Sequence, residues 1–480
     1  MYYRIKDDIA VRSWMFIPGA YYRIKELPAH PLSDGQMDMI ALCDGYNDLS
    51  YPAGSEEDRI LSSLIEDGVI EACNRGEEPS EWSRYRAVPH RHFPKMNFMM
   101  TGKCNYNCLH CFNAADLSPL MSEWKYEDCL KLLDQAAEAG IHAITITGGE
   151  PMAHPHFMDI MKAIHKRNMY VEELNTNGFF ITGEVLREFK SFGCEPLIKI
   201  SFDGTGFHDW IRDHRGAEEE TLSAIRLCKD YGFRVMVQMQ VNKKNLEAIL
   251  PSALMLNDMG VDELRLIRTT EVIRWIEHAG DACIPLEEYY EILPRMARDI
   301  YDELRLLPLE KRHLKKLIIW QLLTVDLING EYSIYPVRYP EGTYRDTYAV
   351  CQGNRGMIAV TSGGEMVPCM QMSGFMMEHN IHLGNVYDTP LRELLSDGAY
   401  LKMITKNLYQ LRQINETCDK CRYYKYCGGG CRALALLYSK PKNDPWSVDP
   451  AKCMFFNGGW YEKTAETMGD MKNLSVMETD

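Results

Sequence analysis

Three closely spaced cysteines constrain this chain more than any other feature of its sequence. Cys104, Cys108 and Cys111 stand in the segment Cys-Asn-Tyr-Asn-Cys-Leu-His-Cys. A [4Fe–4S] cluster normally takes four thiolates, one for each iron, so three cysteines would leave one iron open to a small molecule. The alternative is a zinc knuckle without its fourth ligand, although zinc favours paired Cys-x2-Cys ligands with a partner pair elsewhere.

Three further motifs follow the cysteines, each at the point where a β-strand pattern ends. The alternating β-branched run Ile144–Thr147 predicts a buried strand and leads into a Gly-Gly-Glu-Pro turn. A lone turn of this kind is a weak signal, but its position after the cysteines and before the other two motifs makes it a strong one. The motifs are Gly148-Gly149-Glu150-Pro151, Asn175-Thr-Asn177-Gly178, and Ser201-Phe-Asp203-Gly204 followed by His208-Asp-Trp-Ile-Arg212.

The cysteine spacing and these motifs resemble the radical S-adenosylmethionine (SAM) enzymes. In that family SAM occupies the open iron, and its reductive cleavage gives a 5′-deoxyadenosyl radical that removes hydrogen from unactivated C–H bonds. The resemblance implies that the Gly-Gly-Glu-Pro backbone contacts the SAM amino group, since glycines allow close approach. It also implies that Ser201 and Arg212 hold the SAM carboxylate. The candidate SAM contacts are Gly148, Gly149, Glu150, Pro151, Asn177, Ser201, Asp203, Arg212 and Gln240; Gln238 could face the same cavity.

Length, charge and cysteine content limit the protein class. A chain of 480 residues is expected to form two or three domains. Its 53 basic and 68 acidic residues argue against nucleic acid or an anionic membrane as the main partner. The sequence has no apolar run of membrane-spanning length and no apolar signal core at its start, so we expect a cytoplasmic protein. In a cytoplasmic protein, sixteen cysteines indicate metal sites rather than disulfides.

Residues 1–90 are predicted to form a small α+β domain. Alternating strand patterns precede a helix that starts after Ser33, a second helix covers Glu56–Glu66, and an apolar strand ends at Cys73. This order resembles the winged-helix peptide-recognition element that is fused to peptide-modifying enzymes. A DNA-binding winged helix is the alternative, but nine Lys and Arg against sixteen Asp and Glu would repel phosphate.

Residues 91–271 alternate strand and helix patterns six times, which predicts a partial (β/α)6 radical SAM barrel in an α/β fold. In such folds the site lies at the carboxyl ends of the strands, where the motifs above stand. Residues 272–350 are predicted to bridge to the next domain through a helix at Leu286–Leu307 and an apolar helix around His313–Ile328. No chemistry is assigned to this bridge.

The cysteines of residues 351–480 form a second group. Their order, with Cys-x2-Cys-x5-Cys-x3-Cys at its centre, resembles the SPASM extension of radical SAM peptide and protein maturases, and a zinc ribbon is the alternative. The resemblance implies two auxiliary [4Fe–4S] clusters, so three in total. The first would be bound by Cys351, Cys369 and Cys431, and the second by Cys418, Cys421, Cys427 and Cys453.

One position departs from the related sulfatase maturases. They place a further cluster cysteine six residues after the first ligand, where this chain has Met357. The first auxiliary cluster therefore has either an open iron or another side chain as ligand, and an open iron could bind a substrate thiolate. The run Gly428-Gly-Gly430 is expected to let the backbone pack closely against the cluster.

The resemblance predicts an enzyme that oxidatively modifies a ribosomally made precursor peptide, forming a thioether or a carbon–carbon crosslink. The expected partners are a precursor peptide with a leader sequence and a reductant such as flavodoxin or ferredoxin. Oxidation of a residue in a folded protein, as in sulfatase maturation, is the second hypothesis, and a protein that merely carries electrons is the third. The N-terminal element favours the first, because sulfatase maturases lack it. The sequence identifies no general base.

Overall fold

The computed structural model describes residues 1–111, 122–270, 273–351, 356–438 and 444–478. Three sheets are formed by the strands β1 (Tyr2–Ile5), β2 (Ile9–Trp14), β3 (Ile17–Arg23), β4 (His30–Pro31), β5 (Ile70–Cys73), β6 (Arg86–Ala87), β7 (Lys95–Met99), β8 (Ala143–Thr147), β9 (Tyr170–Thr176), β10 (Leu197–Ser201), β11 (Val235–Val241), β12 (Glu263–Arg268), β13 (Lys316–Ile319), β14 (Leu323–Asp326), β15 (Glu331–Ile334), β16 (Met357–Val360), β17 (Met366–Val367) and β18 (Lys472–Asn473).

The helices of the N-terminal and central parts are α1 (Asp34–Leu42), α2 (Glu56–Glu66), α3 (Tyr126–Glu138), α4 (Phe157–Lys166), α5 (Gly183–Ser191), α6 (His208–Arg212), α7 (Ala217–Asp230), α8 (Ile249–Asp258), α9 (Ile273–Ala279) and α10 (Leu286–Arg305). Those of the C-terminal part are α11 (Met370–Glu378), α12 (Leu391–Leu394), α13 (Ala399–Ile404), α14 (Leu408–Ile414), α15 (Glu416–Asp419), α16 (Tyr424–Cys427), α17 (Arg432–Tyr438), α18 (Pro450–Asn457) and α19 (Trp460–Met468). None of the described helices is long and apolar enough to cross a membrane.

Six parallel strands, β7 to β12 in sequence order, form the centre of the largest sheet. Their apolar residues, such as Ile144, Ile146 and Val237, lie in the main hydrophobic core under the helices. Alternate residues face the other side because side chains alternate along a strand, and that inner face, called the lumen below, carries polar residues such as Thr145 and Gln238. This arrangement confirms the six predicted βα units.

The prediction of an apolar helix around His313–Ile328 is wrong. This segment forms the antiparallel strands β13 and β14, and β13 extends the barrel sheet by pairing in parallel with β12. The apolar run Leu317–Ile319 is too short for its pattern to distinguish a helix from a strand, and its hydrogen bonding to β12 makes it a strand. Gln321, at φ 65°, makes the tight turn between the two strands. The predicted helix at Leu286–Leu307 is present as α10.

The N-terminal segment forms two small sheets and two helices. Ser33 caps α1 and forms a capping box with Gln36, and α2 covers the range predicted for it. β1 pairs with β5, while β4, β3, β2 and β6 form a second sheet. The buried side chains of β1, α1, α2 and β5 form a hydrophobic core of their own.

This segment contacts the barrel at the end where the parallel strands begin. His142 immediately precedes β8; its ring stacks on Tyr22 at 4.2 Å and its Nε2 donates to the carbonyl oxygen of Glu26 at 2.9 Å. Arg86 donates to the carbonyl oxygen of Ala137 at the end of α3. The N-terminal segment therefore lies opposite the carboxyl ends of the strands.

Candidate iron–sulfur and cofactor site

The three cysteines of the first group lie in one loop after β7. Desolvation, followed by the proximity of Cys108 and Cys111, raises the pKa of the Cys104 thiol to about 12. The backbone N–H of Tyr106 donates to Cys104 Sγ at 3.4 Å, which supports negative charge on that sulfur. Cluster binding would require these thiols to lose their protons.

The two glycines of the Gly-Gly-Glu-Pro motif hold β8 against this loop. The backbone N–H groups of Gly149 and Glu150 donate to the carbonyl oxygens of Thr101 and Lys103 at 2.7 and 2.8 Å. A Cβ atom at Gly148 would collide with the Thr101 carbonyl oxygen, and one at Gly149 with that of Lys103. Glycine is thus required for close approach of two backbones just before Cys104.

Glu150 is fully buried and its carboxylate is occupied by protein donors. Oε1 accepts from the N–H of Met152 and from Thr176 Oγ1, at 3.1 and 2.9 Å, and Oε2 accepts from the N–H of Asn177 at 2.7 Å. Burial nevertheless raises the pKa of Glu150 to about 7. Glu150 therefore joins the Gly-Gly-Glu-Pro motif to the Asn-Thr-Asn-Gly motif. The next residue, Pro151, starts a short 3-10 turn.

Asn177 links its motif to the cysteine loop. Its Nδ2 donates to Asn105 Oδ1 at 2.8 Å and lies 4.0 Å from Cys104 Sγ. Its carbonyl oxygen accepts from Thr221 Oγ1 at 3.2 Å, and this hydroxyl lies 3.2 Å from His208 Nε2. Asn105, which lies inside the cysteine motif, and Thr221, which lies in no motif, were not predicted to have these roles.

Asp203 and Arg212 form a buried ion pair beside the second cysteine. Arg212 Nε donates to Asp203 Oδ2 at 2.7 Å, and Nη1 lies 3.8 Å from Cys108 Sγ. Desolvation alone would raise the pKa of Asp203, but Arg212 and His208 hold it well below its usual range. The other oxygen, Oδ1, accepts from the backbone N–H of Gln240 at 2.8 Å.

Ser201 and Gln240 lie at the carboxyl ends of β10 and β11. Ser201 pairs in register with Gln238, which places both on the lumen side. Within the described residues, the Ser201 hydroxyl and the Gln240 side-chain amide make no hydrogen bond. The structure therefore brings the predicted SAM contacts around one end of the barrel, and the side chains of Ser201 and Gln240 have unused polar atoms there.

The C-terminal cysteines form two groups. Burial raises the pKa of Cys369, and nearby Cys431 and Cys351 add to the rise. Burial likewise raises the pKa of Cys418 and of Cys453 to about 11, with contributions from other cysteines of their own group. We call Cys351, Cys369 and Cys431 the first group and Cys418, Cys421, Cys427 and Cys453 the second; their division between two clusters stays a prediction.

The second group surrounds a cavity of about 490 Å³ that all four of its cysteines line. Across the described residues, no three His, Cys, Asp or Glu side chains converge on the position of a single metal ion. In a [4Fe–4S] cluster each thiolate binds a different iron, so the thiols must surround a space larger than one ion. The four thiols around this space fit the ligand set of such a cluster.

Two cations, the half-buried Arg338 and the buried Lys452, lie near cysteines of both groups. Burial would lower the pKa of Arg338, but Tyr335, Cys351, Cys431 and Cys427 raise it above its usual value. Burial lowers the pKa of Lys452 to about 8; its Nζ donates to the carbonyl oxygen of Gln321 at 2.8 Å. Positive charge here would offset the charge of ionised thiolates.

The glycine run packs against protein side chains. Gly428, Gly429 and Gly430 all have φ between 58° and 81°, and Cβ atoms on them would strike Tyr339, Leu411 and Asp449. Gly429 also lines the cavity of the second group. Met357 begins β16, which pairs with β7 at the edge of the barrel.

Comparison with known proteins gives two family matches. Residues 98–250 match the family model of the Radical SAM superfamily, and residues 351–422 match the SPASM iron–sulfur cluster-binding domain. The motifs at one end of the barrel fall within the first match, and the first C-terminal cysteines within the second. The chain therefore carries a radical SAM domain followed by a SPASM domain, as expected of an iron–sulfur enzyme that binds SAM.

Relatives of the chain have several activities. An AdoMet-dependent heme synthase of Methanosarcina barkeri is 25% identical over 70% of this chain and 90% of that protein. The subtilosin biosynthesis protein AlbA of Bacillus subtilis is 25% identical over 69% of this chain and 66% of that protein. The structure of Streptococcus suis SuiB bound to precursor peptide SuiA superposes with a TM-score of 0.64 at 16% identity, covering 94% of this chain and 99% of that one. At that identity the likeness concerns the fold.

Proposed function

We propose that this chain is a radical SAM enzyme that crosslinks a ribosomally synthesised precursor peptide, by a thioether or a carbon–carbon bond. The observation that carries the proposal is the extent of the fold shared with SuiB, which was crystallised with its precursor peptide. That fold covers 94% of this chain and 99% of SuiB, including the N-terminal segment. The biosynthetic role of AlbA in making a bacteriocin supports the same substrate class.

The residues at the end of the barrel would bind and orient the cofactors. Cys104, Cys108 and Cys111 would hold a [4Fe–4S] cluster that, with SAM bound, supplies a 5′-deoxyadenosyl radical. Ser201 and Gln240 offer unused polar atoms to SAM. Arg212 stays fixed by Asp203, so its charge is held beside Cys108 without a change in side-chain conformation.

The first C-terminal group favours the thioether over the carbon–carbon bond. Cys351, Cys369 and Cys431 lie together, and Met357 leaves them without the fourth cysteine of the sulfatase maturases. A site with three thiolate ligands would have room for a substrate cysteine, which metal binding would deprotonate and position. The second group, with four cysteines, has no such vacancy and suits electron transfer.

The N-terminal segment is proposed to bind the leader of the precursor. Among the described strands, β5 pairs only with β1, so its other edge is available to an added strand. Main-chain pairing at such an edge supplies affinity, and neighbouring side-chain pockets supply sequence specificity. The N-terminal segment has a hydrophobic core separate from that of the barrel, so it can bind a peptide without rearranging the barrel.

Crosslinking is tested with anaerobically reconstituted protein, a chemical reductant or flavodoxin, and peptides encoded by any short open reading frames found beside the gene. We expect a product two hydrogens lighter than the substrate, and deuterium from the attacked carbon in 5′-deoxyadenosine. Tandem mass spectrometry of the product from a Cys→Ser peptide separates the two bonds. Equal crosslinking of the serine peptide would exclude the thioether, and SAM cleavage without change in any such peptide would exclude the function.

Leader binding is tested separately with the peptide cut into leader and core. The leader alone should bind the full chain, and the core alone should bind at least tenfold more weakly, since one main-chain-paired segment contributes several hydrogen bonds. A protein without residues 1–90 should lose leader affinity. Because that deletion uncovers His142, its cluster content must first match the full chain. Unchanged leader affinity would contradict the assignment.

A further inference from the structure

Arg265 lies on the lumen side of β12, close to the predicted SAM contacts. Its neighbours Leu264 and Leu266 are fully buried in the main core on the other side of the sheet. Arg265 pairs in register with Gln238, which pairs with Ser201. The guanidinium is thus held at the same level of the barrel as the Ser201 hydroxyl.

The charge of Arg265 has no ion-pair partner among the described residues. Its Nη1 donates to Gln238 Oε1 at 3.4 Å, a long hydrogen bond, and its buried Nε has no partner. Two carboxylates lie near it: Glu173, already paired with Lys199 at 2.7 Å, and Glu263, two residues earlier on β12; neither forms an ion pair with Arg265. A half-buried cation that lacks a carboxylate is costly unless a ligand supplies one.

The other side of Arg265 faces the bridge, residues 272–350. Its guanidinium lies 5.1 Å from the centre of the Trp320 ring, and Trp320 stacks on Tyr335 with ring centres 6.4 Å apart. Lys452 lies over Tyr335, and the thiols of Cys431 and Cys351 are close enough to affect that phenol. Arg265 therefore stands between the SAM end of the barrel and the first C-terminal cysteine group.

We propose that Arg265 binds a carboxylate of the substrate peptide and so fixes its position between the two cysteine groups. The proposal rests on the proposed function and names a feature of its substrate. A planar guanidinium binds a carboxylate through two parallel hydrogen bonds, which sets orientation as well as affinity. Trp320 holds the guanidinium plane in place, so little side-chain entropy remains to be lost on binding. The carboxylate belongs either to an Asp or Glu side chain or to the peptide's C-terminus.

The test measures peptide binding to the SAM-bound holoenzyme by saturation-transfer NMR. The probes are the doubly blocked pentapeptides Gly-Gly-Glu-Gly-Gly and Gly-Gly-Gln-Gly-Gly, and pentaglycine with a free or an amidated C-terminus. One carboxylate-bearing probe should bind about tenfold more tightly than its neutral counterpart. Preference for the Glu probe assigns a side chain, and preference for free pentaglycine assigns the C-terminus. Equal binding within both pairs overturns the proposal.

Variants separate this role from a structural one. Arg265→Gln should abolish the preference, Arg265→Lys should keep part of it, and Arg295→Gln, on the exposed face of α10, should leave it unchanged. The SAM affinity of Arg265→Gln is measured by equilibrium dialysis, and a loss of about tenfold would assign Arg265 to SAM and overturn the proposal. A carboxylate preference in a protein that crosslinks no peptide would refute the proposed function alone.

Discussion

Arg212 and Asp203 are joined by a 2.7 Å hydrogen bond between two side chains that are almost completely buried. The same guanidinium approaches Cys108, so the pair fixes a positive charge next to a predicted cluster ligand. Replacing Asp203 by Asn removes the countercharge from a buried arginine. We expect a loss of about 3 kcal/mol or more in the free energy of unfolding, because an uncompensated charge remains inside.

Urea unfolding of the apoprotein measures this loss. Asp159→Asn, at an exposed position on α4, serves as the control and should change stability by less than about 0.5 kcal/mol. The stability contributed by Asp203 is present above the ordinary pKa of an aspartate and is lost as the pH falls toward its depressed value. An Asp203→Asn protein as stable as the control would contradict the claim that Asp203 compensates the buried charge of Arg212.

Gly149 should not tolerate even a methyl group. Alanine there collides with the carbonyl oxygen of Lys103, which precedes the first cysteine directly, so the loop must shift. We expect Gly149→Ala to cost about 1–3 kcal/mol and to lower SAM affinity. Gly356→Ala is the matched control, since its Cβ would meet only Pro94 at ordinary contact distances. Thermal unfolding and SAM binding measured on both proteins compare the two sites, and equal effects would refute the prediction.

Metal content tests the cysteine assignment. Three [4Fe–4S] clusters correspond to about twelve irons for each chain, and replacing Cys104, Cys108 and Cys111 by Ala should leave about eight. SAM cleavage should be lost in that variant because its iron site is gone. Iron and sulfide analysis after anaerobic reconstitution measures the cluster content of both proteins. Tightly bound zinc in their place would exclude the clusters.

Contact between the N-terminal segment and the barrel should weaken in acid. Burial lowers the pKa of His142 from 6.5 to about 4, so the folded state favours the neutral ring that donates to Glu26. The stability from this group is complete above pH 6.5 and is lost as the pH falls toward 4, about 1 kcal/mol of it by pH 5.5.

Hydrogen exchange at residues 22–26 measures this weakening at pH 7.5 and 5.5. His142→Phe keeps the ring against Tyr22 but removes the titration, so its exchange rates should change less between the two values. His92 and His165 have pKa values that burial also lowers to about 4, which leaves part of the acid sensitivity in the variant. An identical pH response in both proteins would show that His142 is not responsible.

Lys452 should raise the reduction potential of the C-terminal clusters. It lines the cavity of the second cysteine group and is buried, and net charge near a cluster is one determinant of its potential. We expect Lys452→Met to lower the midpoint by ~60 mV, a tenfold change in a one-electron equilibrium. Redox titration followed by EPR measures it, with exposed Lys463→Met as control. An unchanged midpoint would assign Lys452 a packing role only.

Motifs with fixed spacing made much of the site predictable. Asp203 and Arg212 stand in one short motif, so their proximity follows from local sequence. The barrel is likewise predictable because its strand and helix patterns alternate regularly. The bridge was not predictable in the same way, because Leu317–Ile319 fits a helix as well as a strand and only its pairing with β12 decides. Arg265 belongs to no motif, and its lack of an ion-pair partner follows in part from the pairing of Glu173 with Lys199.

The N-terminal segment lies at the starting end of the strands, and the cysteines and predicted SAM contacts lie at the other end, so the length of the barrel separates them. A seven-residue strand such as β9 is about 23 Å long. A peptide that reaches from one end to the other needs at least ~7 extended residues before its first modifiable position. Residues closer to the leader than that would be out of reach, whatever their chemistry.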